Sequence, residues 1–118
     1  MSGKRTLSLL AGAALVVAAC ERTATVDESY YRLQMEQDLL NLVQVEDTYF
    51  SANATYSAVA SQLHYYPSYG VTVTIGAVSA TGWNATASHF HSSNICGVFV
   101  GTASSPIAGA VKREPACP

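Results

Sequence analysis

Charge is what this sequence has least of. Only 12% of its 118 residues are Asp, Glu, Lys or Arg, about half the usual share for a soluble domain. Six basic residues stand against eight acidic ones, a formal net charge of −2. That balance excludes the basic footprint through which proteins grip nucleic acid. Long apolar segments are missing as well. The apolar run near the N-terminus covers residues 7–19, short of the roughly 20 residues that a membrane-spanning helix needs. No repeat of fixed period, no glycine-rich phosphate cradle and no Gly-x-Ser-x-Gly elbow is present. A hydrophobic fraction of 49% nevertheless excludes disorder over most of the length, and 118 residues suffice for one core but not two.

The beginning of the chain reads as a sorting signal. Lys4 and Arg5 precede the uncharged run, which ends in Val17-Ala18-Ala19-Cys20 before the polar Glu21-Arg22-Thr23. A basic start, a short apolar stretch and small residues before the break make a signal peptide over 1–19. Small residues ahead of a cysteine resemble the lipobox of bacterial lipoproteins, in which the thiol of the cysteine, here Cys20, is acylated. The organisation expected is a signal peptide (1–19), a short tether (20–28) and one globular domain (29–118). The 99 residues from Cys20 onward hold 4 basic and 8 acidic side chains, or −4.

Within that domain charge is segregated. Seven of the acids lie between Glu21 and Asp47, whereas residues 48–111 contain no Asp, Glu, Lys or Arg at all. The spacing over 27–50 is helical: Met35, Leu39, Leu42, Val43 and Tyr49 form a stripe, widened by Leu40 and Phe50. Asp27 or Ser29 would cap its start. Glu46 falls inside the stripe, which requires an edge position or a partner. Beyond the helix the period changes to two. Strands are predicted at 62–66, 71–75, 82–88 and 95–100, with Pro67-Ser68-Tyr69-Gly70 as a turn. Asn53 and Asn84, each opening an Asn-Ala-Thr sequence, read as turn residues. One long N-terminal helix followed by a strand meander is an α+β layout, with the helix packed on a small antiparallel sheet. Uncharged strands also leave sheet edges poorly protected against pairing.

Three cysteines leave an even pair once Cys20 is acylated. A Cys96–Cys117 disulfide would tie the last strand to the C-terminal tail in an oxidising compartment. His89 and His91 share one face of an extended segment, but zinc needs at least one further ligand, for which Glu46 on the helix is the nearest idea. No cofactor is implied. Seven tyrosines lie between residues 30 and 69; Tyr65, Tyr66 and Tyr69 beside Pro67 form a candidate interaction surface, since tyrosine offers large contact area at small entropic cost. Packing between helix and sheet accounts for the others.

Taken in order, several segments are similar to the globular part of bacterial type IV pilins and pseudopilins. They are Met35-Glu36-Gln37-Asp38-Leu39-Leu40-Asn41-Leu42, Val45-Glu46-Asp47-Thr48-Tyr49-Phe50, Asn53-Ala54-Thr55-Tyr56, Gly70-Val71-Thr72-Val73-Thr74-Ile75, Gly82-Trp83-Asn84-Ala85-Thr86-Ala87 and Cys96-Gly97-Val98-Phe99-Val100-Gly101, with Cys117 at the end. The resemblance spans roughly residues 30–118. It implies a pilin-like helix on a sheet, with a C-terminal loop closed by a disulfide between Cys96 and Cys117. The front differs from a pilin, whose long apolar assembly helix is replaced here by a short run ending at Cys20. The chain thus looks like a pilin head on a lipid anchor. The expected role is non-enzymatic, by contact with envelope or pilus proteins or by self-association, on the membrane of the bacterial cell envelope. A true filament subunit with an unusual leader is one alternative, and a small metal- or ligand-binding envelope lipoprotein is another.

Overall fold

The computed structural model of the chain describes residues 27–118. The expected signal peptide, Cys20 and nearly all of the expected tether lie outside the described residues.

Helix α1 (Glu28–Asn53) begins where Asp27, in extended conformation, accepts a hydrogen bond from the Ser29 amide at 3.1 Å. Glu28 in the first turn complements the positive end of the helix dipole. The helix ends at Ala54, whose left-handed backbone (φ 57°) lets its N–H donate to the Phe50 carbonyl at 2.8 Å. Met35, Asp38, Leu39, Leu42, Val43 and Glu46 are its buried residues, a stripe at the three- and four-residue spacing expected of one helix face. Leu40 and Phe50 do not widen it: both are exposed. Leu40 follows Leu39 by about 100° of rotation and so leaves the covered face, while Phe50 stacks on Tyr56 with centroids 4.7 Å apart.

The sheet is an antiparallel meander in the order β1 (Val71–Gly76), β2 (Gly82–His89), β3 (Cys96–Gly101). Val71 pairs with His89 and Ile75 with Ala85; Trp83 pairs with Val100 and Ala87 with Cys96. Opposed residues share a face, so Val71, Val73 and Ile75, then Trp83, Ala85 and Ala87, then Cys96, Val98 and Val100 all turn towards α1. The helix lies chiefly over β2 and β3. Ala85 and Ala87 keep the middle of the sheet thin there, while Trp83 and Met35, both without solvent exposure, fill the largest volumes. Full burial of one such large apolar side chain is worth about 1.5–3 kcal/mol.

The segment predicted as a strand at 62–66 is instead a single helical turn, α2 (Ala60–Leu63), reversed at His64 in left-handed conformation (φ 52°). Leu63 and Tyr65 are buried while His64 and Tyr66 are exposed, so the alternation is real in burial. The backbone bonds locally, Tyr65 N–H to the Ala60 carbonyl at 3.0 Å, and not to a neighbouring strand. Asn84 is also not in a turn. It lies within β2 and donates through Nδ2 to the Ser104 carbonyl at 3.0 Å, and Asn53 is the last residue of α1.

The tail returns to the sheet. Gly97 and Ala116 exchange two backbone hydrogen bonds, each 2.9 Å, beside the Cys96–Cys117 disulfide, whose Cα atoms are 4.2 Å apart. A side chain at Gly97 would meet Pro106 and Ile107 at 2.7 and 2.8 Å, so the tail lies directly on the outer face of β3. Gly101 (φ 65°) makes the turn out of β3, with the Thr81 carbonyl 1.9 Å from where a Cβ would stand.

Candidate functional site

Three parts of the fold meet at the N-terminal end of α1. The first helical turns supply Tyr30, Tyr31 and Gln34; the turn before β1 supplies Tyr69; the end of β2 supplies His89, Phe90 and His91. Together they line a shallow groove of about 190 Å³. Register sets this meeting. His89 faces the helix because it shares the face of Ala85 and Ala87, and its ring is 4.5 Å from that of Tyr31. Phe90 turns outward against Tyr69, edge to face at 5.8 Å. Tyr31 also reaches His91, with centroids at 5.8 Å.

The hydrogen bonds here define the chemistry on offer. His91 donates its backbone N–H to Nδ1 of His89 at 3.0 Å, so Nδ1 of His89 is an acceptor and a neutral ring carries its proton on Nε2. Glu28 accepts from the Ser92 hydroxyl and, at 2.9 Å, from the Asn94 amide, fixing the loop after β2 to the start of the helix. The Gln34 Oε1 atom is buried without a partner among the described residues. Among the described residues no charged side chain lines the groove. It offers aromatic faces, imidazole edges and an amide, a surface suited to a neutral, partly apolar contact.

Two buried carboxylates hold the segment that carries Tyr69. Asp38 accepts from the Ser68 amide at 2.8 Å and from its hydroxyl at 2.9 Å. The Tyr65 hydroxyl donates to the Asp38 carbonyl at 2.6 Å. Burial, with the Asp38 charge adding to it, pushes the Tyr65 phenol well above its ordinary range. Glu46, without solvent exposure, accepts from the Ser57 amide at 2.8 Å through Oε1, while Oε2 has no partner among the described residues. Its pKa is raised because burial disfavours the ion; the Ser57 hydrogen bond opposes this, and Asp47 reinforces it. The partner required of Glu46 is thus the loop backbone. Asp38 carries the same signal, lying between Met35 and Leu42 on the stripe.

The predicted tyrosine surface is divided. Tyr65 is 5% exposed, whereas Tyr66 and Tyr69 are 81% and 91% exposed. Tyr69 joins the groove; Tyr65 is a core residue. His89 and His91 come together, 5.8 Å between ring centroids, but no group of three or more metal-ligating side chains exists among the described residues. Glu46 is engaged with Ser57 instead. Tyr30, Tyr31, Gln34 and Phe90 complete the groove. The dense run of tyrosines points towards two of them; nothing local in the sequence joins Gln34 or Phe90 to it. A second hollow, about 220 Å³, lies between α1 and α2 and is lined mainly by Val45, Tyr49, Ala52 and Leu63.

No helix among the described residues is long and apolar enough to cross a membrane. The class defined by the fold is α+β, one long helix on a three-stranded antiparallel meander with a disulfide near its C-terminus. Comparison with protein-family models and with curated proteins finds no match to the chain.

Proposed function

We propose that this protein is a non-enzymatic, pilin-like domain that is tethered by lipid to the bacterial cell envelope and works through protein contacts. Its role is that of an accessory to a type IV pilus or type II secretion-like machine, or of a surface module. The observation that carries this reading is the order of the parts: a long helix, a strand meander and a disulfide-held tail, behind a lipobox-like Cys20. The uncharged aromatic groove is a contact surface consistent with it. Intact mass of the native protein, taken from the membrane fraction with and without reductant, tests the reading. The expected species begins at an acylated Cys20 and gains two hydrogens on reduction. An unacylated chain, or one that keeps residues 7–19, overturns it.

A further inference from the structure

The two outer strands of the sheet are treated differently by the rest of the chain. In an antiparallel pair, successive residues alternately direct their backbone groups towards and away from the partner strand. The phase of β1 is set by Phe90, whose N–H donates to the Gly70 carbonyl at 3.2 Å. Gly70 opposes Phe90, so Thr72, Thr74 and Gly76 bond to β2, and Val73 and Ile75 direct N–H and C=O away from it. The opposite side of the sheet has the complementary phase. Gly97 exchanges its outward bonds with Ala116, and the Phe99 carbonyl accepts from the Arg113 amide at 2.8 Å. The β3 edge is therefore covered by the tail, while among the described residues β1 is an edge.

Edge strands in natural proteins are usually guarded by lysine, proline, a bulge or extreme shortness. The sequence of β1, Val-Thr-Val-Thr-Ile-Gly, has none of the first three, over six residues. Its side chains are sorted cleanly. Val71, Val73 and Ile75 face the helix side, and Thr72 and Thr74 are exposed on the other. No charged residue occurs between positions 48 and 111, so a second copy of this strand brings no like charge beside it.

We propose that β1 pairs with β1 of a second copy, antiparallel and about a twofold axis at Val73. In that register the outward groups of Val73 meet those of the second Val73, and Val71 meets Ile75. The Val71 N–H already bonds the Ser68 carbonyl at 3.0 Å, which leaves the Val71 carbonyl to accept from Ile75. Apolar side chains meet apolar ones on the helix side, and Thr72 meets Thr74 on the other. Such pairing joins two three-stranded sheets into one and covers Val73 and Ile75, which are only partly buried. A second copy is favoured over an unrelated peptide because reversal of this strand reproduces both its hydrogen-bond phase and its division into faces. The inference does not depend on the lipid-tethered reading.

The register gives the test. Thr72 and Thr74 of opposite copies form a non-hydrogen-bonded pair, with Cα atoms about 4.5 Å apart, inside disulfide range. Thr72 to Thr72, or Thr74 to Thr74, is roughly 8 Å, outside it. Full-length Thr72→Cys and Thr74→Cys chains are expressed together and separately in bacteria, oxidised with copper–phenanthroline and run on non-reducing gels. A dimer enriched severalfold in the mixture over either chain alone is expected. No dimer, or equal dimer in all three samples, overturns the proposal. Sedimentation of the purified full-length chain in detergent provides a second reading. The wild type is expected to double its particle mass with rising concentration, and Thr72→Lys/Thr74→Lys, which alters only exposed side chains, to remain monomeric. A wild type that is monomeric throughout places any partner of β1 outside this chain and overturns self-pairing. Doubling that survives the two lysines places the contact elsewhere and overturns it equally.

Discussion

The segment before the sheet, residues 54–70, and the segment after it, residues 102–118, both return to α1, but they are held by different chemistry. The first is held by carboxylates inside the core: Asp38 receives the Ser68 amide and hydroxyl, and Glu46 receives the Ser57 amide. The second is held by the Cys96–Cys117 bond, whose Cys96 end lies in the core, and by an ion pair between Arg113 and Asp47 at 2.5 Å whose two side chains are nearly half exposed. Glu46, whose pKa is raised by burial, answers to pH, and a disulfide answers to reductant. One flank is thus sensitive to protons through the helix, and the other to thiols through β3. The flanks also leave different edges behind them, since the tail covers β3 and nothing among the described residues does so for β1.

Reduction of the disulfide, or Cys117→Ser, is the largest expected break in this contrast. Loss of a crosslink closing a loop of this size costs about 3 kcal/mol. It appears as a lower urea midpoint with the tail released from β3, and the sheet then has two open edges. An unchanged midpoint on reduction means that packing alone holds the tail.

Asp38→Ala acts on the other flank. It leaves the Ser68 amide without its acceptor, at a cost of about 2 kcal/mol, and the loss is the same with or without reductant. A thermodynamic cycle of Asp38→Ala with Cys117→Ser should be additive, because the two anchors share no partner.

Glu46→Gln sharpens the comparison with an opposite sign. Because the native pKa of Glu46 is raised by burial, the folded chain binds this proton more tightly than the unfolded chain. Stability from this group is therefore full below the ordinary glutamate range. It falls as pH rises through the raised native value and stays low above it. Glutamine keeps an acceptor for Ser57 without a charge to desolvate. At neutral pH it should stabilise by about 1 kcal/mol, the scale of an unsatisfied buried polar group. Subtracting variant from wild-type urea midpoints, measured from about pH 4 to 9, isolates this slope from the other carboxylates. A variant less stable than wild type at neutral pH sinks this account of Glu46.

Arg113→Ala is the smallest effect. An exposed ion pair contributes less than about 1 kcal/mol and is screened by salt. Its removal should be nearly silent in high salt, which separates its share of the tail anchor from that of the disulfide.

Much of this arrangement is legible in the residues alone. The stripe Met35, Leu39, Leu42, Val43 requires a helix with one covered face, and the alternation from Val71 to Ile75 requires a strand with one covered face. The strands at Gly82–His89 and Cys96–Gly101 fall within a residue of the positions expected from periodicity. The bridge between Cys96 and Cys117 follows from counting once Cys20 is assigned to lipid. Expectation and fold part where one local pattern serves two structures. Residues 62–66 alternate in burial as a strand does, but Leu63 and Tyr65 are turned inward by a helical turn and a left-handed His64. Tyr65 and Tyr66 are neighbours in one tyrosine-rich run, yet one is core and the other surface.

What the sequence determined by itself is periodic and local: a helix from its three- and four-residue spacing, strands from their two-residue spacing, a cap at Asp27 or Ser29 and, with Cys20 set aside, a pair of cysteines. These depend on side-chain directions that the backbone geometry sets within a few residues. What only the tertiary structure decided is which partner each group found. Asp38 and Glu46 could turn inward because distant backbone amides, at Ser68 and Ser57, came to meet them. His89 and His91 joined Tyr31 because the register of β2 carried them to the start of α1. Among the described residues one edge of the sheet is closed and the other open because the tail was drawn to β3. Such pairings join residues far apart along the chain, and no local spacing encodes them: a buried polar group or a strand is stable only when its partner arrives.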